Sequence, residues 1–242
     1  MKFQNEIMIL LSVLFFFGGL VACFRLFGKV GVYAWTVFET IAANIEVLIL
    51  VNAFGMEMTL GNVLFASSFL ATDILSEVYG KKEADKAVWL GVFTSVLFIL
   101  TTVTWSLYVP SKNDVSWKNI QSVFALTPRI MGASLAGYVV SEILDVFFYH
   151  KFWDMTTKKC NDRKRFLWLR NNSATLIAQL LNTVVFNVLA FCGMYDAKTL
   201  VSIVISSYVI FIFTSLLDTP FIYLARHIAE KYNLGYEPNI KR

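Results

Sequence analysis

The sequence predicts an all-α fold: a polytopic integral membrane helix bundle of seven transmembrane helices, with the N-terminus outside and the C-terminus in the cytoplasm. Three observations predict it. Of 242 residues, 57% are hydrophobic and only 16% are charged, against about 25% charged in soluble domains. The mean hydropathy is +0.62. Seven helices of about 20 residues would take up about 140 residues, close to the whole apolar content. A soluble enzyme, a disordered chain and a disulfide scaffold are excluded, and no residues remain for a large extramembrane domain. The chain reads as a single transmembrane domain over 1–242.

The expected helices run at about 6–26, 30–51, 60–79, 87–109, 128–149, 173–194 and 199–225. Each is long enough to span a bilayer, and polar or glycine-bearing breaks separate them. The apolar run of 6–26 is long for a signal peptide and no small-residue cleavage site follows it. It therefore reads as a retained helix whose far end Arg25 and Lys29 hold in the cytoplasm. Pro128 suits the first turn of the fifth helix, where its missing N–H costs nothing. Between the fifth and sixth helices, 150–172 reads as a basic cytoplasmic loop.

Charge placement sets the orientation. With the N-terminus outside, the cytoplasmic regions hold most of the 21 basic residues. Among them are Arg25, Lys29, Lys81, Lys82, Lys86, Lys151, Lys158, Lys159, Arg163, Lys164, Arg165, Arg170, Arg226, Lys231, Lys241 and Arg242. The outer side keeps Lys2, Lys112, Lys118, Arg129 and Lys198. That asymmetry follows the positive-inside rule, and it explains the basic loop better than nucleic-acid binding does.

The informative residues are polar ones inside the apolar segments: Glu39, Glu46, Asp73, Glu77, Glu142, Asp145 and Asp218. A carboxylate at the centre of a membrane helix costs about 2.5–3.5 kcal/mol on insertion scales. Lys81, four residues on, is a ready partner for Glu77. With almost no intramembrane base, pairing does not account for the set as a whole. Protonation, a water-filled cavity or a ligand remain. Asp73, Glu142, Gln179, Asn182, Asp218 and Glu39 lie about six to ten residues from the cytoplasmic ends of their helices. That is roughly 9–15 Å deep, near the middle of the bilayer. Polar groups from several helices at one depth are what a transporter site requires. Asn44 lies somewhat further out.

Spacing adds faces. Asp73 and Glu77 share one face of the third helix, near a C-terminal end whose dipole disfavours carboxylates. Tyr138, Ser141, Glu142 and Asp145 cluster on the fifth helix, and Thr175, Gln179 and Asn182 on the sixth. The two helices share a polar-x-x-polar pattern, a weak sign of an internal repeat. Tyr138, Phe69 and Phe186 are, by helical position alone, the candidates to stack on a flat heterocycle. Carboxylates and amides opposite aromatics suit a purine-like ring, whose N–H groups donate to carboxylate oxygens. Cys23, Cys160 and Cys192 are scattered, and neither His150 nor His227 has metal-ligand spacing to them. No metal or cofactor is expected.

The run Phe69-Leu-Ala-Thr-Asp-Ile-Leu-Ser-Glu-Val-Tyr-Gly-Lys-Lys-Glu-Ala, followed by Lys86-Ala-Val-Trp-Leu-Gly91, resembles the signature of the queuosine precursor transporter family, also called the vitamin uptake transporter family. Further similarity lies at Ala43-Asn44, at 134–145, at Trp168-Leu-Arg-Asn-Asn172, at Gln179-Leu-Leu-Asn-Thr183 and at Leu217-Asp-Thr-Pro-Phe221. The resemblance implies a six-helix family core plus an N-terminal helix, in the inner membrane of a bacterial cell. It implies import of 7-deazaguanine bases such as 7-cyano-7-deazaguanine, its aminomethyl derivative or queuine. Family members tend to carry Gln where Glu142 stands and Asp where Asn182 stands. The expectation is that these two positions face each other and share one carboxylate.

The substrate-binding residues read from the sequence are thus Asn44, Asp73, Glu77, Tyr138, Glu142, Asp145, Gln179, Asn182 and Asp218, with Asp73, Glu77 and Asp218 the residues for proton coupling. Expected partners are the small-molecule base and the lipid bilayer, with no nucleic acid, and a homo-oligomer is left open. Two other readings were weighed. One is a substrate-capture subunit of an ATP-driven importer, although no docking stripe of small residues stands out in the early helices. The other is an intramembrane enzyme, ranked last because no nucleophile–base pair and no metalloprotease or serine-hydrolase motif occurs.

Overall fold

The computed structural model describes residues 4–125, 127–160, 162 and 165–235. Lys2, Arg163, Lys164, Lys241 and Arg242, counted above for orientation, lie outside the described residues. Helix α1 spans Gln4–Glu46, and a hairpin of β1 (Leu50–Ala53) and β2 (Met56–Thr59) follows. Then come α2 (Gly61–Val78), α3 (Lys81–Ser106), the short α4 (Trp117–Ala125), α5 (Thr127–Cys160), α6 (Leu167–Phe191) and α7 (Ala197–Tyr232). Five helices, α1, α3, α5, α6 and α7, are long and apolar enough to cross a membrane. Helix α2, with Asp73 and Glu77, is the central post: apart from Asn62 and Phe65, its residues are buried. It is unbroken at Ser67–Ser68, whose hydroxyl oxygens lie 2.8 Å from the carbonyl oxygens of Leu64 and Phe65.

Helix α1 is two arms rather than one rod. Gly28 has φ 57° and ψ −138°, a backbone that glycine reaches without the Cβ penalty. The arms fold back on each other there. A Cβ on Gly31 would fall on the Cys23 carbonyl, and one on Gly19 would lie 2.8 Å from the Trp35 ring. The expected helices 6–26 and 30–51 are therefore the two arms of one helical hairpin.

Contacts fix the direction of every pass. At one end, Asn5 Nδ2 donates to the Asn52 carbonyl (2.8 Å), the Phe54 N–H donates to Glu6 Oε1 (3.0 Å), and Arg129 Nε donates to the Leu189 carbonyl (2.9 Å). At the other, Arg25 Nη2 donates to Tyr232 Oη (3.2 Å) and Lys29 pairs with Glu83 (3.0 Å). Between this hairpin end and this Gly28 end the chain runs back and forth through both arms of α1, then α2, α3, α5, α6 and α7. Helix α7 opens on Asp196. Its carboxylate accepts from the Thr199 hydroxyl and from the N–H groups of Lys198 and Thr199. These bonds, the Thr199 hydroxyl foremost, hold the Asp196 carboxyl below its ordinary value.

Two expectations are corrected. The fold is not purely helical, because the second helix stops at Glu46 and residues 50–59 pair as antiparallel strands, Leu50 with Thr59 through to Ala53 with Met56. Phe54 and Gly55 both take positive φ at the turn, as a tight two-residue hairpin loop requires. The apolar strand hid in the hydrophobic run. The basic loop 150–172 is also mostly helix: α5 continues to Cys160 and α6 begins at Leu167. The stripe Glu142, Asp145, Tyr149, Trp153 keeps its helical spacing past the expected end, and Tyr149 and Trp153 are buried.

Candidate functional site

The polar interior is tiered along the bundle axis. Nearest the hairpin end is a cavity of about 440 Å³, whose lining includes Leu48, Met58, Ser122, Phe186, Asn187 and Ile203. It adjoins a small cleft of about 30 Å³ between Gly61, Asn62, Phe65, Ser134 and Asn182, the two sharing Val47 and Phe186. Asn44, on the second arm of α1, donates from Nδ2 to the Thr40 carbonyl (2.7 Å) and to Ser95 Oγ (3.2 Å).

Beneath the cleft, Phe65 is the hub of an aromatic cluster with Phe69 (5.4 Å), Tyr138 (6.1 Å) and Phe211 (6.1 Å). Tyr138 is seated on Gly91, where a Cβ would collide with its hydroxyl. Phe186, the third expected stacking ring, lines the cavity instead.

Below the aromatics the carboxyls gather around α2. Ser67 Oγ donates to Glu39 Oε2 (2.7 Å) and accepts from Trp35 Nε1 (3.1 Å). Ser68 Oγ donates to Glu142 Oε1, and Thr72 Oγ1 donates to Glu142 Oε2 (3.2 Å). Thr175 Oγ1 lies 3.4 Å from Asp73 Oδ2, with Asp145 beside both. Asp218 and Glu142 are within electrostatic reach of Asp73. Asn171 Nδ2 donates to Asp218 Oδ1 (2.7 Å). Gln179 is 1% exposed, and neither its amide oxygen nor its nitrogen has a hydrogen-bond partner among the described residues. Asp73, Glu142, Asp145 and Asp218 are likewise buried, and none has an ion-pair partner among the described residues. Buried carboxyl and amide groups gathered in this way need hydrogen-bonding partners beyond those the described side chains supply to Gln179.

The third tier closes the Gly28 end. Glu77 is paired with Arg170 (2.6 Å), which has no exposed side-chain surface, and with Arg226 at 3.6 Å. Tyr149 Oη donates to Glu77 Oε2 at 2.9 Å, and the Arg170 guanidinium lies 4.3 Å from the centroid of the Trp153 ring. The expected partner of Glu77 is thus corrected. Lys81 pairs with Asp85 (3.2 Å), and the base that meets Glu77 comes from another helix.

The sequence-predicted residues divide accordingly. Asp73, Asp145, Glu142, Gln179 and Asp218 belong to the carboxyl layer, with Tyr138 at its aromatic rim. Glu77 lies one turn below. Asn44 and Asn182 lie toward the hairpin end. Glu142 and Asn182 do not share a carboxylate: Glu142 bonds to α2, while the Asn182 amide packs where a side chain on Gly137 would stand. Sequence reasoning missed Ser67, Ser68 and Thr72 as the donors to Glu39 and Glu142, Phe65 as the aromatic hub, and Arg170 as a buried partner. The apolar setting of Trp168-Leu-Arg, continuous with a helical pattern, was the available signal for Arg170.

Residues 59–225 match the family model described as "Putative vitamin uptake transporter". The chain belongs to the vitamin uptake transporter family. Members of this family are membrane transporters, which sets aside the enzyme reading. The chain is 36% identical over 224 residues to a protein of Bacillus subtilis (strain 168) named "Probable queuosine precursor transporter", covering 93% of this chain and 95% of that one. It is 26% identical over 159 residues to the "Queuosine precursor transporter" of Escherichia coli (strain K12), covering 64% and 65%. No solved structure matches the chain. The family match begins at Thr59, so Asp73, Glu142, Gln179 and Asp218 fall inside it while Glu39 and Asn44 on α1 fall outside.

Proposed function

We propose that this protein imports queuosine precursors, 7-deazaguanine bases, across the bacterial inner membrane by alternating access. The observation that carries the reading is the buried layer of Asp73, Glu142, Asp145 and Asp218, with the buried, unpartnered amide of Gln179 one helical turn on from Thr175, which lies against Asp73. A deazaguanine edge offers a ring N–H and an exocyclic amine beside a carbonyl oxygen. Asp73 and Glu142 accept from the N–H groups, and the Gln179 amide donates to the carbonyl. The Phe65–Tyr138 cluster supplies a face for the flat ring. Asn182, Asn44 and the 440 Å³ cavity form the approach from the hairpin end.

The seven passes are taken as seven crossings. The basic residues at the Gly28 end, Arg25, Lys29, Lys81 and Lys231 among them, support a cytoplasmic position for that end by the positive-inside rule. In this arrangement the Glu77–Arg170–Arg226 cluster is the cytoplasmic closure. Asp73 and Asp218, unpaired by any base among the described residues, are the residues for proton coupling, and Glu77 acts through its ion pairs. The ATP-driven alternative predicts no uptake by the chain alone. The test is uptake of labelled base by cells unable to synthesise it, with Asp73→Asn and Glu142→Gln variants. Uptake unchanged in both would remove the site from this layer.

A further inference from the structure

A groove of about 360 Å³ runs along the outside of the bundle where the first arm of α1 meets α7, away from the carboxyl layer. Its trough is apolar, formed by Gly18, Val21, Ala22, Leu224 and Ile228. At the Gly28 end the trough opens onto Arg25, His227 and Lys231, grouped around Tyr232. Both cations rest on one ring. The Arg25 guanidinium is 5.3 Å from the Tyr232 ring centroid and hydrogen-bonds its hydroxyl at 3.2 Å, while the Lys231 ammonium is 5.5 Å from the same centroid. Among the described residues no carboxylate pairs with either.

Two like charges held at one ring beside hydrocarbon call for an anion. The length of the groove says what else the ligand carries. Gly18 lies seven residues from Arg25 on the same arm, about 10 Å at the helical rise, so an apolar chain can lie below the anion. Among the described residues none fills the trough at Gly18, where a Cβ would have no atom within 4 Å. Both walls are membrane-crossing candidates, which puts the basic mouth at interfacial depth, where such pockets receive phosphate headgroups.

We propose that this groove is a binding site for an anionic phospholipid, its phosphate held by Arg25 and Lys231 and one acyl chain lying along Gly18 and Ala22. Phosphate is the shared chemistry of lipid and free anion, and the apolar trough selects the lipid.

The test uses the purified full chain in neutral detergent, titrated separately with phosphatidylglycerol, with phosphatidylcholine of the same chains, and with inorganic phosphate. Retained lipid is read by native mass spectrometry and stabilisation by melting temperature. Phosphatidylglycerol is expected to be retained and to raise the melting temperature, while phosphatidylcholine and phosphate do neither. The Arg25→Gln/Lys231→Gln pair should reduce retention at least about tenfold. Gly18→Leu should do the same by filling the trough with both charges intact, starting from a Cβ position that has no atom within 4 Å. Equal retention of both lipids, wild-type retention by the variants, or the same stabilisation from phosphate alone would overturn the proposal.

Discussion

Arg170 and Glu77, on α6 and α2, form an ion pair sealed from solvent: Nη2 lies 2.8 Å from Oε1 and 2.6 Å from Oε2. The pair ties the central post to α6 at one level near the Gly28 end, with Tyr149 from α5 and Arg226 from α7 completing it. Four helices are joined at this point, and the alternating access proposed above would require them to part here.

Removing Arg170 leaves Glu77 with only the longer Arg226 contact at 3.6 Å, and removing Glu77 leaves the Arg170 charge buried without a carboxylate among the described residues. Arg170→Leu should cost about 3–5 kcal/mol, visible as a lower melting temperature of the purified protein. The Arg170→Leu/Glu77→Gln double variant should recover part of that loss, because neither charge of the buried pair remains and Arg226 keeps Glu230 at 3.7 Å. If the pair is the cytoplasmic closure, this double variant should bind substrate yet transport it poorly. Arg170→Lys keeps the charge but loses the planar contact with Trp153, and should fall between.

The seat of Tyr138 on Gly91 makes a second prediction. Gly91→Ala pushes a methyl group into the Tyr138 hydroxyl and should destabilise by about 1–3 kcal/mol through overpacking. Adding Tyr138→Phe removes the nearest colliding atom but leaves the ring carbon Cζ 2.6 Å from the new methyl group, so it should relieve only part of the cost. A double-mutant cycle on melting temperatures checks the coupling.

The turn at Gly28 makes a third. Its φ and ψ lie where an L-residue is strained by about 1–3 kcal/mol, so Gly28→Ala should lower stability by that order. Gly18→Ala, on the same arm with open space around it, should be neutral or stabilising. Comparing the two melting temperatures separates backbone strain from loss of packing.

Much of this was legible in the sequence, for identifiable reasons. The apolar segments announced the passes through the bundle because length and hydropathy are local properties. The acids announced the polar layer because a carboxylate in hydrocarbon needs a cause wherever it stands. What a single chain hides is who meets whom. Glu77 and Arg170 are far apart in sequence, so the local neighbour Lys81 looked like the partner. Ser67 and Ser68 look like ordinary small helix residues until Glu39 and Glu142 are brought onto them. The strands at 50–59 vanish inside an apolar run because a short apolar stretch fits strand and helix alike.

The central claim is that the carboxyl layer around α2 carries a 7-deazaguanine base across the membrane. Uptake of labelled 7-cyano-7-deazaguanine into liposomes containing only the purified chain tests it most directly. The account predicts saturable uptake without ATP, inhibited by other deazaguanines, and reduced at least about tenfold, or about 1.4 kcal/mol, in Asp73→Asn and in Glu142→Gln. Uptake that is absent from the wild type, or undiminished in both variants, would contradict it.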